Sequence, residues 1–244
     1  MKTKKHFLKL ILLFFYLNIA NAQDRNIDSL QNWYWGVSVK VGNNYRVITS
    51  SYEYQIAFED SLQYARISLN PGLILRKDIG KRFQFETGLF LNNKGYNSKE
   101  YKILQVFGSP SNGAKIYQYS VKDFFDFWYL DVPLKLHYRM GNKKLFFSGG
   151  GGIIFNILLL AQNSQTITQE TPGISYSAYS THSYSLPHGC ALSGIAEFAV
   201  NYSFHNSFVS FFPFYERSLQ ELGKNRGNLT LYSYGVGLNF LMEF

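Results

Sequence analysis

The sequence predicts an all-β protein, a transmembrane antiparallel up-and-down β-barrel of about eight strands. Three observations lead to this prediction. Segments throughout the chain alternate apolar and polar residues with a period of two, which gives a strand two unlike faces. Aromatic residues make up 18% of the chain, and membrane barrels carry aromatic belts. The connections between the alternating segments are long and short in turn, as they are in outer-membrane barrels.

The first 22 residues have the pattern of a secretory signal peptide. Four lysines lie within residues 2–9, an apolar run follows at 10–17, and Ala20, Asn21 and Ala22 form an A-x-A cleavage site. The apolar run is shorter than the roughly 18 residues of a membrane-spanning helix. We therefore expect a cleavable signal peptide at 1–22 and a barrel domain at 23–244, with an uncleaved anchor as the alternative.

Charge and cysteine content exclude several classes of protein. Cleavage would remove four lysines and no acidic residue, so the formal net charge would fall from +8 to +4. This mild charge gives no support for binding to nucleic acid. The single cysteine, Cys190, rules out an intramolecular disulfide.

The first four alternating segments lie at 33–42, 67–76, 83–92 and 128–139. In the first, tryptophan and valine fill the odd positions. The second and third are joined by a short turn at 77–82. In the fourth, charged and apolar side chains separate completely by face. A helix, which repeats every three to four residues, does not produce that separation.

The last four segments lie at 145–160, 190–202, 208–217 and 232–244, with short turns at 141–144 and 203–206. The alternation of the fifth blurs at Leu158 and Leu160, and the seventh is aromatic on both faces. The last segment ends the chain on an aromatic residue. It resembles the C-terminal signature that bacterial outer-membrane barrels present to their insertion machinery. The predicted insertion signal consists of Tyr234, Val236, Leu238, Phe240, Met242 and Phe244.

The lengths of the connections predict how the barrel is oriented in the membrane. Those after strands one, three and five have about 20 to 30 residues, and those after strands two, four and six have about five or six. Short turns of outer-membrane barrels face the periplasm. Because sheet edges cannot lie unpaired in lipid, the sheet must close, and about eight strands leave a lumen that side chains can fill.

The long connections are rich in tyrosine, which has two interpretations. One is a binding surface, and the other is an interfacial belt with strands that rise above the bilayer as hairpins. The tyrosines concerned are Tyr45, Tyr52, Tyr54, Tyr64, Tyr96, Tyr101, Tyr117, Tyr119, Tyr176, Tyr179 and Tyr184.

The predicted inner face collects the charged residues of the strands. An arginine or lysine facing lipid would cost about 2–4 kcal/mol at the membrane centre, so these side chains should face the lumen. There they must pair, since an unpaired buried charge is strongly destabilising. The predicted lumen charge cluster consists of Lys40, Arg76, Glu86, Asp131, Lys135, His137, Arg139 and Glu197, and the same face carries Arg66, Glu216 and Glu243.

Within this cluster we expect Glu86 to pair with a neighbouring arginine or lysine, and Asp131 to pair with Arg76 or Arg139. The favoured interpretation is an internal salt-bridge plug. The functional alternative is a gated path for an ion or small solute.

The sequence gives weak support for catalysis or metal binding. His137, Asp131 and Ser148 could form a lipid hydrolase or acyltransferase site, but such a site belongs at the outer rim and His137 should lie near the periplasmic turn. His182 and His188 lack metal-ligand spacing. We therefore expect no catalytic residue, no metal site and no cofactor.

Four stretches give the chain a family resemblance. They are Asn-Pro-Gly at 70–72, Phe-Glu-Thr-Gly-Leu at 85–89 with Lys-Gly at 94–95, Tyr-Leu-Asp-Val-Pro-Leu at 129–134, and the closing aromatic strand. In order and spacing the chain resembles, over 33–244, the PorT-like outer-membrane barrel proteins of Bacteroidota. The resemblance implies an eight-stranded barrel and no single activity, although a named member takes part in protein secretion across the outer membrane.

These observations predict a non-catalytic structural or interaction component of the bacterial outer membrane, with a link to protein secretion as one option. The expected partners are outer-membrane lipid, the insertion machinery during biogenesis, and an envelope protein complex, but not nucleic acid. The alternatives are a small-solute channel and a lipid-modifying barrel enzyme. A soluble lipocalin-like barrel is the rival fold, but its interior would be apolar.

Overall fold

A computed structural model of the protein describes residues 32–49, 63–107, 115–141, 144–171, 174–183, 189–220 and 228–244. The predicted signal peptide lies outside the described residues. None of the described segments forms a helix long and apolar enough to cross a membrane.

Strands make up nearly all of the described residues. They are β1 Trp33–Thr49, β2 Gln63–Tyr64, β3 Arg66–Ile79, β4 Phe83–Asn93, β5 Tyr96–Ser98, β6 Tyr101–Phe107, β7 Lys115–Met140, β8 Leu145–Thr171, β9 Ile174–Ser183, β10 Cys190–Phe204, β11 Ser207–Ser218 and β12 Asn228–Glu243.

Eight of these strands form a closed antiparallel ring. The ring runs β1, β3, β4, β7, β8, β10, β11, β12, and β12 pairs again with β1 from Tyr34–Glu243 to Thr49–Asn228. Each of the eight predicted segments falls on one strand of this ring. The prediction of an eight-stranded up-and-down barrel is therefore confirmed, and closure leaves no strand edge for lipid to cover.

The short turns, the start of β1 and the end of β12 lie at one end of the ring. Gly80 and Gly141 occupy two of the turns with φ of 65° and 98°, and His205 adopts a φ of 50° in the third. The amide of Phe244 donates to the carbonyl oxygen of Trp33 over 3.1 Å. Because short turns of membrane barrels face the periplasm, this end is the periplasmic end and the opposite one the extracellular end.

Strands β7 and β8 are much longer than predicted. They have 26 and 27 residues and stay paired from Met140–Phe147 up to Gln118–Glu170, whereas a membrane span needs about 9–11 residues. Strands β5 and β6 pair with upper β7, and β9 pairs with upper β8. These strands form an extracellular sheet, so the interpretation of hairpins rising above the bilayer is confirmed. Tyr52, Tyr54 and Tyr184 lie outside the described residues.

A β-bulge explains why the alternation of the fifth predicted strand blurs. Trp128 of β7 pairs with Leu160, but the next residue, Tyr129, pairs with Leu158. Leu159 is therefore the extra residue of the bulge, and it shifts the face on which each following side chain of β8 lies.

The outward side chains of the ring form an apolar band with aromatic edges. Leu73, near the middle, is 58% exposed. Phe83 and Tyr138 meet edge to face at 5.5 Å near the periplasmic end, and Tyr45 stacks on Tyr232 at the extracellular end. An apolar band between aromatic girdles is the outer surface of a membrane barrel, and it rules out the soluble lipocalin-like arrangement.

Candidate functional site

The lumen is filled by charged side chains whose charges balance. The described residues contain four cations and four carboxylates that are buried, together with the imidazole of His137, which is counted as neutral. The cations are Lys40, Arg76, Lys94 and Lys135, and the carboxylates are Glu86, Asp131, Glu197 and Glu216. All predicted cluster members except Arg139 are in this buried set, and Lys94 was missed.

The first group of these charges, the periplasmic network, is centred on Glu86. Arg76, Glu86 and Lys135 are direct cross-strand neighbours on β3, β4 and β7, so their side chains share the inner face. The Nε atom of Arg76 donates to Glu86 Oε2 over 2.8 Å, and Lys135 Nζ pairs with the other oxygen of Glu86. Lys135 Nζ also lies 3.0 Å from each carboxylate oxygen of Glu197. The prediction that Glu86 pairs with a neighbouring cation is confirmed.

Two glycines of β8 allow this network to form. Lys135 and His137 on β7 pair with Gly152 and Gly150, and β8 separates them from Glu197 on β10. A Cβ atom on Gly150 would lie 2.7 Å from His137 Nδ1, and one on Gly152 would lie 2.0 Å from the Leu134 carbonyl oxygen. Because Gly150 and Gly152 have no side chains, Lys135 and His137 can extend past β8 to contact Glu197.

We expect Gly150→Ala to destabilise the barrel by about 1–3 kcal/mol, because the added methyl group overpacks a filled interior. Gly149→Ala is the control, since its Cβ would meet only the Phe198 ring at 3.7 Å. Urea unfolding in lipid vesicles measures both. Equal stability of the two variants would contradict this explanation of the glycines.

The second group, the extracellular network, joins Lys94 to two carboxylates. Lys94 Nζ lies 3.2 Å from Asp131 Oδ2 and also pairs with Glu216 across the lumen. Asn92 and Asn156 donate to the two oxygens of Asp131 over 2.7 and 2.6 Å. The prediction that Asp131 pairs with Arg76 or Arg139 is therefore wrong.

Two further cations are held by aromatic rings. Lys40 Nζ lies 4.4 Å from the Phe90 ring centroid and 5.4 Å from that of Phe214. Arg139 is only half-buried and its guanidinium carbon lies 3.9 Å from the Phe146 ring centroid. Arg139 lies opposite Ser148 on the inner face, next to the periplasmic turn, but its side chain is outside the fully buried set.

Three residues of the periplasmic network have the geometry of a cation site. Ligand atoms of Glu86, His137 and Glu197 come within 4.8 Å of one another, and His137 Nε2 lies 3.3 Å from Glu197 Oε1. The ammonium group of Lys135 already bonds to both carboxylates. A divalent cation would have to displace that ammonium group into a closed, charge-balanced interior.

The extracellular mouth of the lumen contains a small polar cavity. Its lining includes Lys94, Tyr129, Glu216 and Ser233. The Tyr129 hydroxyl, one Glu216 oxygen and the Ser233 hydroxyl have no hydrogen-bond partner among the described residues. The free space of this cavity suits about one water molecule, so the cavity itself has no room for a larger solute.

The three candidate enzyme residues do not come together. Asp131 belongs to the extracellular network, whereas His137 lies beside Glu197 in the periplasmic network. The hydroxyl of Ser148 is fully buried and accepts a hydrogen bond from Asn201 Nδ2 over 3.0 Å. This arrangement gives no support to a hydrolase or acyltransferase built from these residues.

The predicted insertion signal follows the outer face of β12. Tyr234, Val236, Leu238 and Phe244 are 43–65% exposed. Phe240 is half-buried, and Met242 is only 8% exposed. The exposed members form an apolar ridge on the lipid side of the closing strand, and the half-buried Phe240 and the buried Met242 interrupt it between Leu238 and Phe244.

Asp123 fastens together the strands of the extracellular sheet. It accepts hydrogen bonds from Tyr101 of β6 over 2.9 Å and from Gln165 of β8 over 3.0 Å, and its amide donates to Ser98 of β5 over 2.7 Å. Burial and the hydrogen bond to Asp123 raise the pKa of the Tyr101 hydroxyl to about 12. Tyr101 is therefore a neutral donor at physiological pH.

Residues 21–223 match the model of a family described as outer membrane protein beta-barrel domain. Similar solved structures include the attachment invasion locus protein Ail of Yersinia pestis, with 10% identity, a TM-score of 0.36, and coverage of 86% of this chain and 99% of that one. Another is OprG of Pseudomonas aeruginosa, with 9% identity, a TM-score of 0.40, and coverage of 88% and 96%. A third is Neisserial surface protein A, with 10% identity, a TM-score of 0.39, and coverage of 87% and 97%. No curated protein sequence matches the chain.

Proposed function

Because the chain belongs to the outer membrane protein beta-barrel domain family, we propose that it is a non-catalytic integral protein of the outer membrane, in which a closed barrel anchors an extracellular interaction surface. Residues 1–22 direct its export as a cleavable signal peptide. The insertion machinery recognises the closing strand during biogenesis.

The observation that carries this proposal is the balanced charge of the lumen. Four buried cations balance four buried carboxylates in number, and Arg76, Lys94 and Lys135 contact those carboxylates directly between strands. A conducting pore needs sites from which an ion can leave, whereas the lumen carboxylates are already paired with fixed lysine and arginine side chains. A plugged interior favours an anchor over a small-solute channel.

The extracellular sheet supports an interaction role. Ile103 and Leu104 on β6 are 43% and 65% exposed, and they pair with Tyr119 and Gln118 of β7. These partners lie ten or eleven residues beyond Tyr129 at the barrel mouth, which is about 33 Å along a strand. Because successive side chains of a strand point to opposite faces, Ile103 and Leu104 do not share one face. We place the protein–protein contact on the face of Leu104, the more exposed of the two. We assign this contact to an envelope complex, and the PorT-like resemblance makes a protein-secretion assembly the first complex to examine.

The size of the native species tests this proposal. We expect the protein, extracted from its own outer membrane in mild detergent, to migrate as a complex larger than the monomer. Leu104→Glu should release the partner, because it places a charge in an apolar contact. Gln105→Glu adds the same charge at an exposed position of the same strand and should leave the complex intact. A monomer in every detergent, before and after chemical crosslinking, would contradict the proposal.

The insertion signal has its own test. We expect Phe244→Ser to lower the amount of heat-modifiable, folded barrel in the outer membrane several-fold, because it removes the last member of the apolar ridge. Phe244→Tyr keeps an aromatic end and should assemble normally. Normal assembly of Phe244→Ser would remove Phe244 from the signal.

A further inference from the structure

The outward face of β1, β12 and β11 changes in composition towards the extracellular end. Residues directly opposite one another on these three strands form cross-strand rows. Two rows are apolar, and the two rows above them are aromatic and polar. In order towards the extracellular end, the rows are Val39–Leu238–Phe211, Val41–Val236–Pro213, Asn43–Tyr234–Tyr215 and Tyr45–Tyr232–Arg217. We call the upper two rows the outer rim patch.

The outer rim patch lies at the height of the lipid headgroups. Arg217 is ten residues along β11 from Ser207, which follows the periplasmic turn. With a rise of about 3.4 Å per residue and a tilt of about 40°, ten residues climb about 26 Å, which matches the height of about 25 Å of the apolar band of such barrels. Arg217 therefore lies at the boundary between the acyl chains and the headgroups of the outer leaflet.

The charge of Arg217 has no acidic partner among the described side chains. Its side chain is exposed, and its guanidinium carbon lies 5.4 Å from the Tyr232 ring centroid. Neither row of the patch contains a carboxylate, and Glu216 points into the lumen, where it pairs with Lys94. By contrast, Arg66 on β3 is already paired with Asp126 at 2.6 Å.

The aromatic neighbours hold Arg217 in place and add donors. Tyr232 stacks on Tyr45 with ring centroids 5.1 Å apart, and it lies 6.3 Å from the Tyr215 ring. A ring that packs on both sides restricts the guanidinium laid against it, so less freedom is lost when an anion binds. The tyrosine hydroxyls and the Asn43 amide supply further hydrogen-bond donors at the same level.

We infer that the outer rim patch binds the phosphate group of an outer-leaflet glycolipid. The guanidinium of Arg217 matches two phosphate oxygens in a bidentate, charge-assisted pair. The tyrosine rings lie along the acyl-chain boundary, where amphipathic rings are favoured. The Asn43 amide is placed to bond a sugar hydroxyl next to the phosphate. The ligand is a lipid rather than free phosphate, because the patch continues without a break into the apolar rows beneath it.

Native mass spectrometry of the full-length protein in detergent micelles tests this inference. The probes are phosphorylated lipid A, fully dephosphorylated lipid A, and inorganic phosphate. We expect phosphorylated lipid A to bind the wild-type protein at least about tenfold more tightly than the dephosphorylated form, and Arg217→Gln to remove about tenfold in affinity. Arg217→Lys keeps the charge but loses the bidentate pair, so its affinity for phosphorylated lipid A should fall between that of the wild-type protein and that of Arg217→Gln.

Arg82→Gln is the matched control. Arg82 is also exposed and contacts a tyrosine, with its Nη1 3.1 Å from the Tyr138 hydroxyl oxygen, but it lies at the periplasmic rim. Its loss should change lipid A affinity by less than about twofold. Heat-modifiable gel mobility confirms that each variant is folded. Equal binding of the two lipid A forms, an equal loss in Arg82→Gln, or binding of inorganic phosphate as tight as that of the lipid would overturn the inference.

Discussion

Glu86→Gln is expected to destabilise the folded barrel by about 3–5 kcal/mol. The substitution keeps the shape of the side chain but removes one buried negative charge. Arg76 would then lose the carboxylate with which it pairs, and Lys135 would keep only Glu197. A net positive charge left in a closed interior is destabilising, because neither water nor a counter-charge can reach it. Urea unfolding in lipid vesicles, followed by tryptophan fluorescence, measures the loss.

A double variant separates charge imbalance from lost packing. Arg76→Met combined with Glu86→Met removes one cation and one anion and leaves Lys135 paired with Glu197. We expect it to recover most of the stability lost in Glu86→Gln, as replacement of whole buried ion pairs by apolar residues does elsewhere. Glu100→Gln, at an exposed position, should change stability by less than about 0.5 kcal/mol. A Glu86→Gln variant as stable as Glu100→Gln would show that the periplasmic network does not stabilise the barrel.

Lys94→Met is expected to have an effect of similar size, about 3–5 kcal/mol, at the other end of the lumen. Lys94 is the shared partner of Asp131 and Glu216. Without it, two buried carboxylates face one another with only Lys40 nearby to offset them. The same unfolding measurement reports the effect.

Removal of one carboxylate together with Lys94 tests whether charge imbalance causes the loss of stability. Lys94→Met combined with Glu216→Met restores charge balance, and Asp131 keeps the two amide donors of Asn92 and Asn156. This double variant should be more stable than Lys94→Met alone. If it were less stable, the two residues would contribute through packing rather than through charge.

The pairing of Glu86 could be predicted from the sequence because it is local in the sheet. A short turn joins β3 to β4, so the register of that hairpin places Arg76 opposite Glu86. The inward face of each strand follows from the alternation of apolar and charged residues. The other strands of the ring and the three short turns between them were predicted from the same alternation.

The pairing of Lys94 with Glu216 could not be predicted in this way. The two residues are 122 positions apart and meet across the lumen, where contacts depend on strand tilt and closure rather than on a turn. Lys94 is the even-numbered position that follows Asn92, and the even positions of β4 face the lumen. This alternation could have identified Lys94 as a lumen residue. The upper part of β8 carries polar residues on both faces, so no alternation marked it as a strand. In upper β7, Tyr117, Tyr119 and Val121 do alternate with Gln118, Ser120 and Lys122, and this signal could have marked the strand.

Single-channel recording of the refolded wild-type protein in planar lipid bilayers tests the central claim most directly. The balanced charges of the periplasmic and extracellular networks predict a closed lumen, and therefore no stepwise current at either polarity across a range of potassium chloride concentrations. Heat-modifiable mobility of the same sample establishes that the inserted barrel is folded. Reproducible conductance steps that scale with salt concentration would show that the lumen conducts, and they would replace the plugged anchor with a small-solute channel.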